Sequence, residues 1–447
     1  MKVLKNNIVF ILFLVFVATS CSNKQVPDTI EKNTSKTNIE TVETTQNEKP
    51  KHIKSIELES PDYSDLEFLK HILKDKRVVM LGESSHGVSE YSLIKNRLIK
   101  FLHEELGYNV VAFESGLTEV NITNEMMLDF HTVLTAMKKS IYSVWHTKNN
   151  IDLYTYFKNQ KSSNHPINIA GFDMRPMGSG DELLYQFFKD IDLEYAKDVE
   201  FAEKEFLRLT SKETVNLNRA TWNKEAKKLI NQYNDLLSGI EEQSSNLAKQ
   251  LDFNEIKLLN KVFEQRIYLL SNVFNREEYY TNWRYGYNLR DVVMAENLVW
   301  LLEEMYPNEK FVVWAHNGHI MKKSSKVLTD SSGIPLVSFV ENLPERIKEQ
   351  SYIIGLYMYS GKRADVYREI FDVNMDHKKN SIEYRLNEPG YPVSFINIDI
   401  TDNETNSYWW NSEVSSKSEG VYESSFIPSE QYDGLILIQQ ANPPNYR

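Results

Sequence analysis

Ionisable residues follow four apolar, strand-like segments of this 447-residue chain. A histidine titrates near neutrality and can take a proton from water, and a neighbouring carboxylate can orient its ring. Glu83 and His86 are three residues apart and suit that pairing, so we interpret His86 as a base acting on water. The candidate residues, in chain order, are Glu83, His86, Glu114, Asp173, His316, Asn317 and His319.

Two other chemistries compete for the same residues. Ser84 and Ser85 lie in GESSHG, which lacks the G-x-S-x-G spacing of a nucleophile elbow, so we favour water over a serine nucleophile. His316 and His319, together with His86 and the glutamates, are residue types that bind zinc, although the chain has no HExxH pattern. A metal-dependent hydrolase of peptides or amides therefore stays an alternative, and we predict no cofactor while leaving a metal open.

The apolar periodicity predicts the elements that position these residues. A strand at 77–81, a helix at 89–106 with Gly107 at its end, and a strand at 109–113 form a βαβ unit of about 37 residues, which requires a parallel pairing. Ligands in open α/β sheets bind outside the carboxyl ends of the strands. We therefore expect the candidate residues to meet at one edge of the sheet. Further strands are predicted at 167–171, 311–315, 352–358, 393–398 and 434–438, and a helix at 287–305.

Charged and leucine-rich helical patterns dominate residues 181–283, where strand signals are nearly missing. We interpret this stretch as a helical insertion. The predicted fold class is α/β, with a mainly parallel sheet flanked by helices and a large helical insertion.

The first 51 residues read as a targeting and tethering region. Lys2 and Lys5 precede a short apolar core at 8–17, which is typical of a signal peptide at 1–20 and too short for a permanent span. Small residues before Cys21, the single cysteine, resemble a lipoprotein cleavage site. We predict a lipidated Cys21, a disordered tether at 21–51 and a catalytic domain at 52–447, lipid-anchored to the bacterial cell envelope outside the cytoplasm.

The overall charge gives no sign of a nucleic-acid partner. The chain has 51 basic and 63 acidic residues, a formal net charge of −12, and it contains no long basic run. We predict a small-molecule substrate, contact with a membrane only through the lipid anchor, and no nucleic acid.

Several segments together resemble the erythromycin esterase family, and they occur in the family's order across residues 60–445. This resemblance implies an α/β core and a metal-independent hydrolase that opens a macrolide lactone, a carboxylic ester hydrolase of class EC 3.1.1. A macrolide substrate would imply a role in antibiotic resistance. The matching segments are LGESSHG (81–87), VVAFESG (110–116), GFDMR (171–175), RDVVMAENLVWL (290–301), WAHNGHI (314–320) and YDGLILIQQANPP (432–444).

The resemblance also assigns roles to the catalytic candidates. His86, with Glu83, matches the general base on water, and Glu114 matches a second active-site glutamate. His316 and His319 match paired histidines that polarise or protonate the ester. The same histidines at a pocket mouth would suit haem iron in a related binding lipoprotein, but the two glutamates favour catalysis.

One family feature is replaced in this sequence. The family tends to carry an arginine on the helix after the first motif, and here Lys95 stands at that place, with Arg97 two residues further on. Lysine keeps the charge but loses the planar fork, and residues two apart on a helix point to different faces. We predict substrate contacts from Lys95, Arg97, Asp173, Asn317 and Arg290.

Overall fold

The computed structural model describes residues 49–211, 218–241, 246–328, 333–398 and 408–447. The predicted signal peptide, Cys21 and the tether up to residue 48 lie outside these ranges. The apolar runs of the sequence form buried strands within a few residues of their predicted bounds. The strands are β1 (Lys51–His52), β2 (Val78–Leu81), β3 (Tyr108–Gly116), β4 (Asn168–Asp173), β5 (Lys310–Trp314), β6 (Ser351–Ala364), β7 (Ile370–Asp372), β8 (Val393–Asn397), β9 (Val414–Ser418), β10 (Tyr422–Phe426) and β11 (Gly434–Ala441).

Nine strands form one sheet, and six of them are parallel. The order of the sheet is β1-β8-β11-β6-β2-β5-β3-β4, and every pair from β11 to β4 is parallel. β8 and β1 extend one side of the sheet by antiparallel pairing, and β7 folds back on β6. β9 and β10 form a separate antiparallel hairpin. The predicted, mainly parallel α/β sheet is confirmed.

Helices cover both faces of this sheet, and buried apolar side chains form a core on each face. Between β4 and β5 the described residues form helices and no strand. The helices are α1 (Phe68–Ile72), α2 (Ser89–Leu106), α3 (Leu117–Glu125), α4 (Val133–Ser140), α5 (Lys148–Gln160), α6 (Gly180–Phe188), α7 (Leu193–Thr210), α8 (Arg219–Glu241), α9 (Asn246–Gln250), α10 (Phe253–Asn272), α11 (Glu277–Thr281), α12 (Trp283–Trp300), α13 (Asn317–Ile320), α14 (Phe339–Asn342), α15 (Glu345–Glu349), α16 (Ile382–Asn387) and α17 (Pro428–Gln431).

Local sequence accounts for the ends of the helices that matter here. α2 ends at Gly107, which adopts a left-handed φ of 70° that glycine takes without a Cβ clash. α12 is capped by Asn282, whose side chain accepts from the backbone N–H of Arg284 and Tyr285, and the helix continues into a π-helical turn at Leu301–Met305. No helix within the described part of the chain is long and apolar enough to cross a membrane.

The strand order gathers the carboxyl ends that carry the candidate residues. β5 lies between β2 and β3, and β4 lies beyond β3. The ends of these four neighbouring parallel strands therefore meet at one edge, where open α/β sheets bind their ligands.

Candidate active site

Glu83 is the buried anchor of the first half of the site. Its Oε1 atom accepts from His86 Nδ1 at 2.7 Å and from Trp145 Nε1 at 2.8 Å. Its Oε2 atom accepts from Lys95 Nζ at 2.7 Å. Burial alone would raise the pKa of Glu83, but the Lys95 charge and the His86 hydrogen bond hold it below its usual range. The Glu83 carboxylate is therefore ionised and can only accept. The proton of this hydrogen bond belongs to His86 Nδ1, which donates it to Glu83.

His86 is consequently available as a base at its other nitrogen. Burial would lower the pKa of His86, but the hydrogen bond and charge of Glu83 raise it above its usual value. The side chain remains 22% exposed, so the ring reaches the mouth of the site. A neutral His86 presents the lone pair of Nε2, which is what a base acting on water requires.

Lys95 lies under the site, fully buried, with its ammonium 4.4 Å from the centre of the Trp314 ring. Burial lowers the pKa of Lys95 to about 8, even though Glu83 opposes this change. The structure thus places Lys95 as the counter-charge of Glu83, one contact removed from His86.

Arg97 lies outside this cluster, against the N-terminal segment. Its Nη2 and Nη1 atoms donate to the two carboxylate oxygens of Asp65 at 2.6 and 3.0 Å, and Nη1 also donates to the Ser55 carbonyl at 2.5 Å. The side chain is fully buried in these contacts. The predicted grouping of Arg97 with the site is corrected, because two positions along α2 turn the side chain to another face.

Arg290 organises the second half of the site from α12. Its Nη2 donates to Glu114 Oε1 at 2.8 Å, and its Nε lies 3.0 Å from both carboxylate oxygens of Asp173. Tyr142 also donates its hydroxyl to Asp173 at 2.9 Å. Burial would raise the pKa of Asp173, but Arg290 holds it below its usual value. Asp173 and Arg290 thus form a buried pair that positions Glu114.

His319 sits behind Glu114 and is only 5% exposed. Its Nδ1 lies 2.8 Å from Asp291 Oδ1, its Nε2 lies 3.2 Å from Glu114 Oε1, and its ring stacks on Tyr287. Burial would lower the pKa of His319, but the charges of Asp291 and Glu114 raise it to about 9. Arg290 Nη1 lies 3.0 Å from the same Nε2, and its charge opposes that rise. His319 and Arg290 together hold the pKa of Glu114 well below its usual value despite burial.

His316 faces His86 across the site, with the two ring centres 5.2 Å apart. Its backbone N–H donates to Glu114 Oε2 at 2.8 Å, and its Nδ1 accepts the backbone N–H of Gly318 at 3.1 Å. Because Nδ1 is an acceptor, the ring proton belongs on Nε2. Nε2 is buried and has no hydrogen-bond partner among the described residues. The Nε2–H of His316 is therefore open to whatever enters the site.

Asn317 is held by the sheet itself. Its amide nitrogen donates to the Leu356 carbonyl at 2.9 Å, and its amide oxygen accepts from the Leu356 N–H at 3.2 Å. A Cβ at Gly82 would lie 2.0 Å from that oxygen, so glycine is required there for this close approach. The structure places Asn317 as a link between the β5 and β6 ends, with its amide already engaged.

Three contributors to the site were not among the predicted residues. Trp145 is buried and donates to Glu83. Asp291, on α12, lies against the ring of His319. Glu419 gave no sequence signal at all, and its Oε1 lies 3.7 Å from His316 Nε2.

The described side chains include no group of three or more His, Cys, Asp or Glu residues placed to hold a metal ion. The buried oxygens of Glu83 are instead occupied by N–H donors from Lys95, Trp145 and His86.

A family model for erythromycin esterase matches residues 103–441 of this chain. The Bacillus subtilis protein YbfO, provisionally named a hydrolase, is 33% identical over 407 residues, which are 88% of this chain and 90% of that protein.

The chain belongs to the erythromycin esterase family.

Other similar proteins agree with this family assignment. Erythromycin esterase type II of Escherichia coli is 27% identical over 372 residues, covering 78% of this chain and 87% of that protein. The recognition made from the sequence segments is therefore confirmed, and the chain belongs to a family of hydrolases. The segment matched by the family model begins after Glu83 and His86, so this match does not bear on the roles predicted for those two residues.

Solved structures share the fold of this erythromycin esterase family member. A succinoglycan biosynthesis protein aligns with a TM-score of 0.70 at 19% identity, covering 89% of this chain and 96% of that one. The erythromycin esterase EreC, solved as a histidine-to-asparagine mutant in its open conformation, aligns with a TM-score of 0.59 at 16% identity, covering 87% and 97%.

Proposed function

We propose that this protein is a metal-independent carboxylic-ester hydrolase in which His86 activates water. The observation that carries the proposal is the 2.7 Å contact between His86 Nδ1 and the buried Glu83 carboxylate. That contact fixes the proton on Nδ1, leaves Nε2 free at the mouth, and stabilises the imidazolium that forms when water loses its proton.

The reaction follows from which ring nitrogen of each facing histidine is already engaged, since Nδ1 is engaged in both. His86 Nε2 takes a proton from water as the water oxygen attacks the ester carbonyl. The Nε2–H of His316 donates to the carbonyl oxygen and stabilises the developing negative charge. The His86 imidazolium then returns its proton to the leaving alkoxide. We do not assign the acid role to His316. Its Nδ1 accepts the Gly318 N–H, so its ring proton is the one on Nε2, and that proton bonds the carbonyl oxygen.

The substrate we propose is an ester or lactone of the macrolide type. Its support is the family membership and the name of the E. coli relative, erythromycin esterase type II. We further propose that the protein acts at the cell envelope, held by a lipid on Cys21. The metal-dependent hydrolysis of peptides or amides remains the competing outcome of the experiment that follows.

Mass spectrometry of erythromycin incubated with the protein, with and without chelator, tests the proposal. We expect a gain of one water that survives chelator, and a loss of about 10²–10⁴-fold in rate for His86→Ala. His131→Ala, which changes an exposed histidine, is the control and should keep full activity. Unchanged turnover by His86→Ala would exclude it as the base. Loss of activity in chelator would favour the metal-dependent alternative.

A further inference from the structure

The turn between β9 and β10 contains an unusual residue choice. Glu419 and Gly420 are its two central residues, with φ values of 53° and 64°, and the Val421 N–H bonds to the Ser418 carbonyl at 3.1 Å. Two left-handed central residues are typical of a type I′ turn, where asparagine followed by glycine is preferred. A left-handed backbone at a glutamate costs about 1 kcal/mol of conformational free energy. Other interactions of Glu419 must therefore compensate for this cost.

Several contacts hold the Glu419 side chain against residues 84–86, the loop that carries His86. Its backbone N–H donates to the Ser84 carbonyl at 2.8 Å. Arg363, which is buried, places Nη1 3.2 Å from Glu419 Oε2 and donates Nε to the Glu419 carbonyl. Both the backbone and the carboxylate of Glu419 are therefore fixed next to residues 84–86.

The other carboxylate oxygen faces the reacting groups. Glu419 Oε1 lies 3.7 Å from His316 Nε2, which is too long for a hydrogen bond and leaves that N–H open to a substrate oxygen. The carboxylate is 28% exposed, so it borders the mouth. Burial would raise the pKa of Glu419, but the nearby His316 ring and the charge of Arg363 hold it below its usual value, and the charge of Glu419 in turn contributes to the raised pKa of His86.

We propose that Glu419 is a catalytic residue that binds the hydrolytic water together with His86. The water donates one O–H to His86 Nε2 and the other to Glu419 Oε1, which leaves an oxygen lone pair directed at the ester carbonyl beside the His316 N–H. This inference rests on the proposed ester hydrolysis and adds the residue that orients its nucleophile.

The proton and bond changes balance without a further reactant. As the water oxygen forms its bond to the carbonyl carbon, one water proton moves to His86 Nε2. The carbonyl carbon–alkoxide bond then breaks, and that proton leaves with the alcohol. Glu419 keeps a hydrogen bond to the remaining O–H throughout, and the acid product releases this proton to solvent.

Glu419→Asn separates a catalytic role from a structural one. Asparagine suits the type I′ turn, and Arg363 keeps its hydrogen bond to the backbone carbonyl of residue 419, so we expect a melting temperature within a few degrees of the wild type. Its shorter amide cannot reach the water, so we expect kcat to fall about 100-fold with KM nearly unchanged. Glu423→Gln, on neighbouring β10, changes a carboxylate that pairs with Lys378 and is the matched control. Wild-type kcat in Glu419→Asn would overturn the proposal.

A second measurement needs no substrate and separates this proposal from the ester assignment. NMR titration of the His86 ring should show a lower pKa in Glu419→Gln than in the wild type, because Glu83 and Glu114 remain but one negative charge is lost. If the pKa of His86 is the same in Glu419→Gln as in the wild type, Glu419 does not act on His86, and the proposal is overturned even if the protein hydrolyses esters. Failure of the wild type to hydrolyse any ester, with a lowered His86 pKa, would refute the proposed reaction and retain the Glu419 contact.

Discussion

At the scale of single residues, the site is built from side chains whose charges are set by burial and by one or two partners. Glu83 shows this most clearly, because it is enclosed and yet stays ionised through Lys95 and two further N–H donors. An ion pair in such a position is costly to break on one side only, since the remaining charge is then buried without a partner.

Lys95→Met should therefore affect both stability and rate. We expect a loss of about 3–5 kcal/mol in the free energy of unfolding, because Glu83 keeps its burial and loses its counter-charge. Protonation of Glu83 then removes the stabilisation of the His86 imidazolium, so kcat should fall as well. Urea denaturation and steady-state kinetics measure the two effects. The double variant Glu83→Gln/Lys95→Met should regain stability but not activity, and full kcat in Lys95→Met would contradict this account.

The sequence predicted the site residues that follow strands, and it did not predict the site residues that lie in turns and loops away from those strands. His86, Glu114 and His316 could be predicted because an apolar run ends just before each of them. Glu419 could not, because it lies in a polar turn of a hairpin with no apolar run, and Trp145 lies in a short loop whose burial depends on tertiary packing.

At the scale of elements, α2 is the part that links the site to the rest of the fold. It carries two buried cations on different faces: Lys95 towards Glu83 and Arg97 towards Asp65. The periodicity predicted this helix with its observed bounds of Ser89–Leu106. It could not tell which cation reaches the site, because that depends on how the helix is rotated against the sheet.

Arg97→Met should separate these two faces. Asp65 is left without its bidentate partner, so we expect a loss of about 3–5 kcal/mol in unfolding free energy. The kcat of the protein that remains folded should stay at the wild-type value, because Arg97 contacts none of the site residues described above. Denaturation curves measure the stability, and steady-state kinetics corrected for the folded fraction measure kcat. A loss of kcat without a loss of stability would indicate that Arg97 belongs to the site.

At the scale of the whole molecule, the strand order decides which residues meet. The sequence predicted a mainly parallel sheet, but it could not predict that β5, at Lys310–Trp314, inserts between β2 and β3. No local signal specifies that neighbour, since the connection runs through the long helical stretch α6–α12. The order follows from packing of the complete sheet, and it is what brings His316 opposite His86.

Global stability should depend on pH through the buried His319. Its pKa is raised from an ordinary 6.5 to about 9, so its contribution is fully present below pH 6.5 and is lost as pH rises towards 9. We expect unfolding free energy to fall by about 1–2 kcal/mol between pH 6.5 and 8. Above pH 8, Lys95 works in the opposite direction, because its folded pKa is lowered to about 8. Denaturation at several pH values measures this, and His319→Gln should flatten the slope.

The insertion of β5 also bears on when the protein becomes active during its synthesis. A nascent chain that already contains β2, β3 and β4 still lacks the strand that separates β2 from β3, and Glu419 follows later still. Some pairings of the site join distant segments, and the contact of His316 with Glu114 spans 202 residues of the chain. The proposed site is therefore complete only after nearly the entire polypeptide has left the ribosome, and we expect a partly made chain to lack the proposed hydrolytic activity.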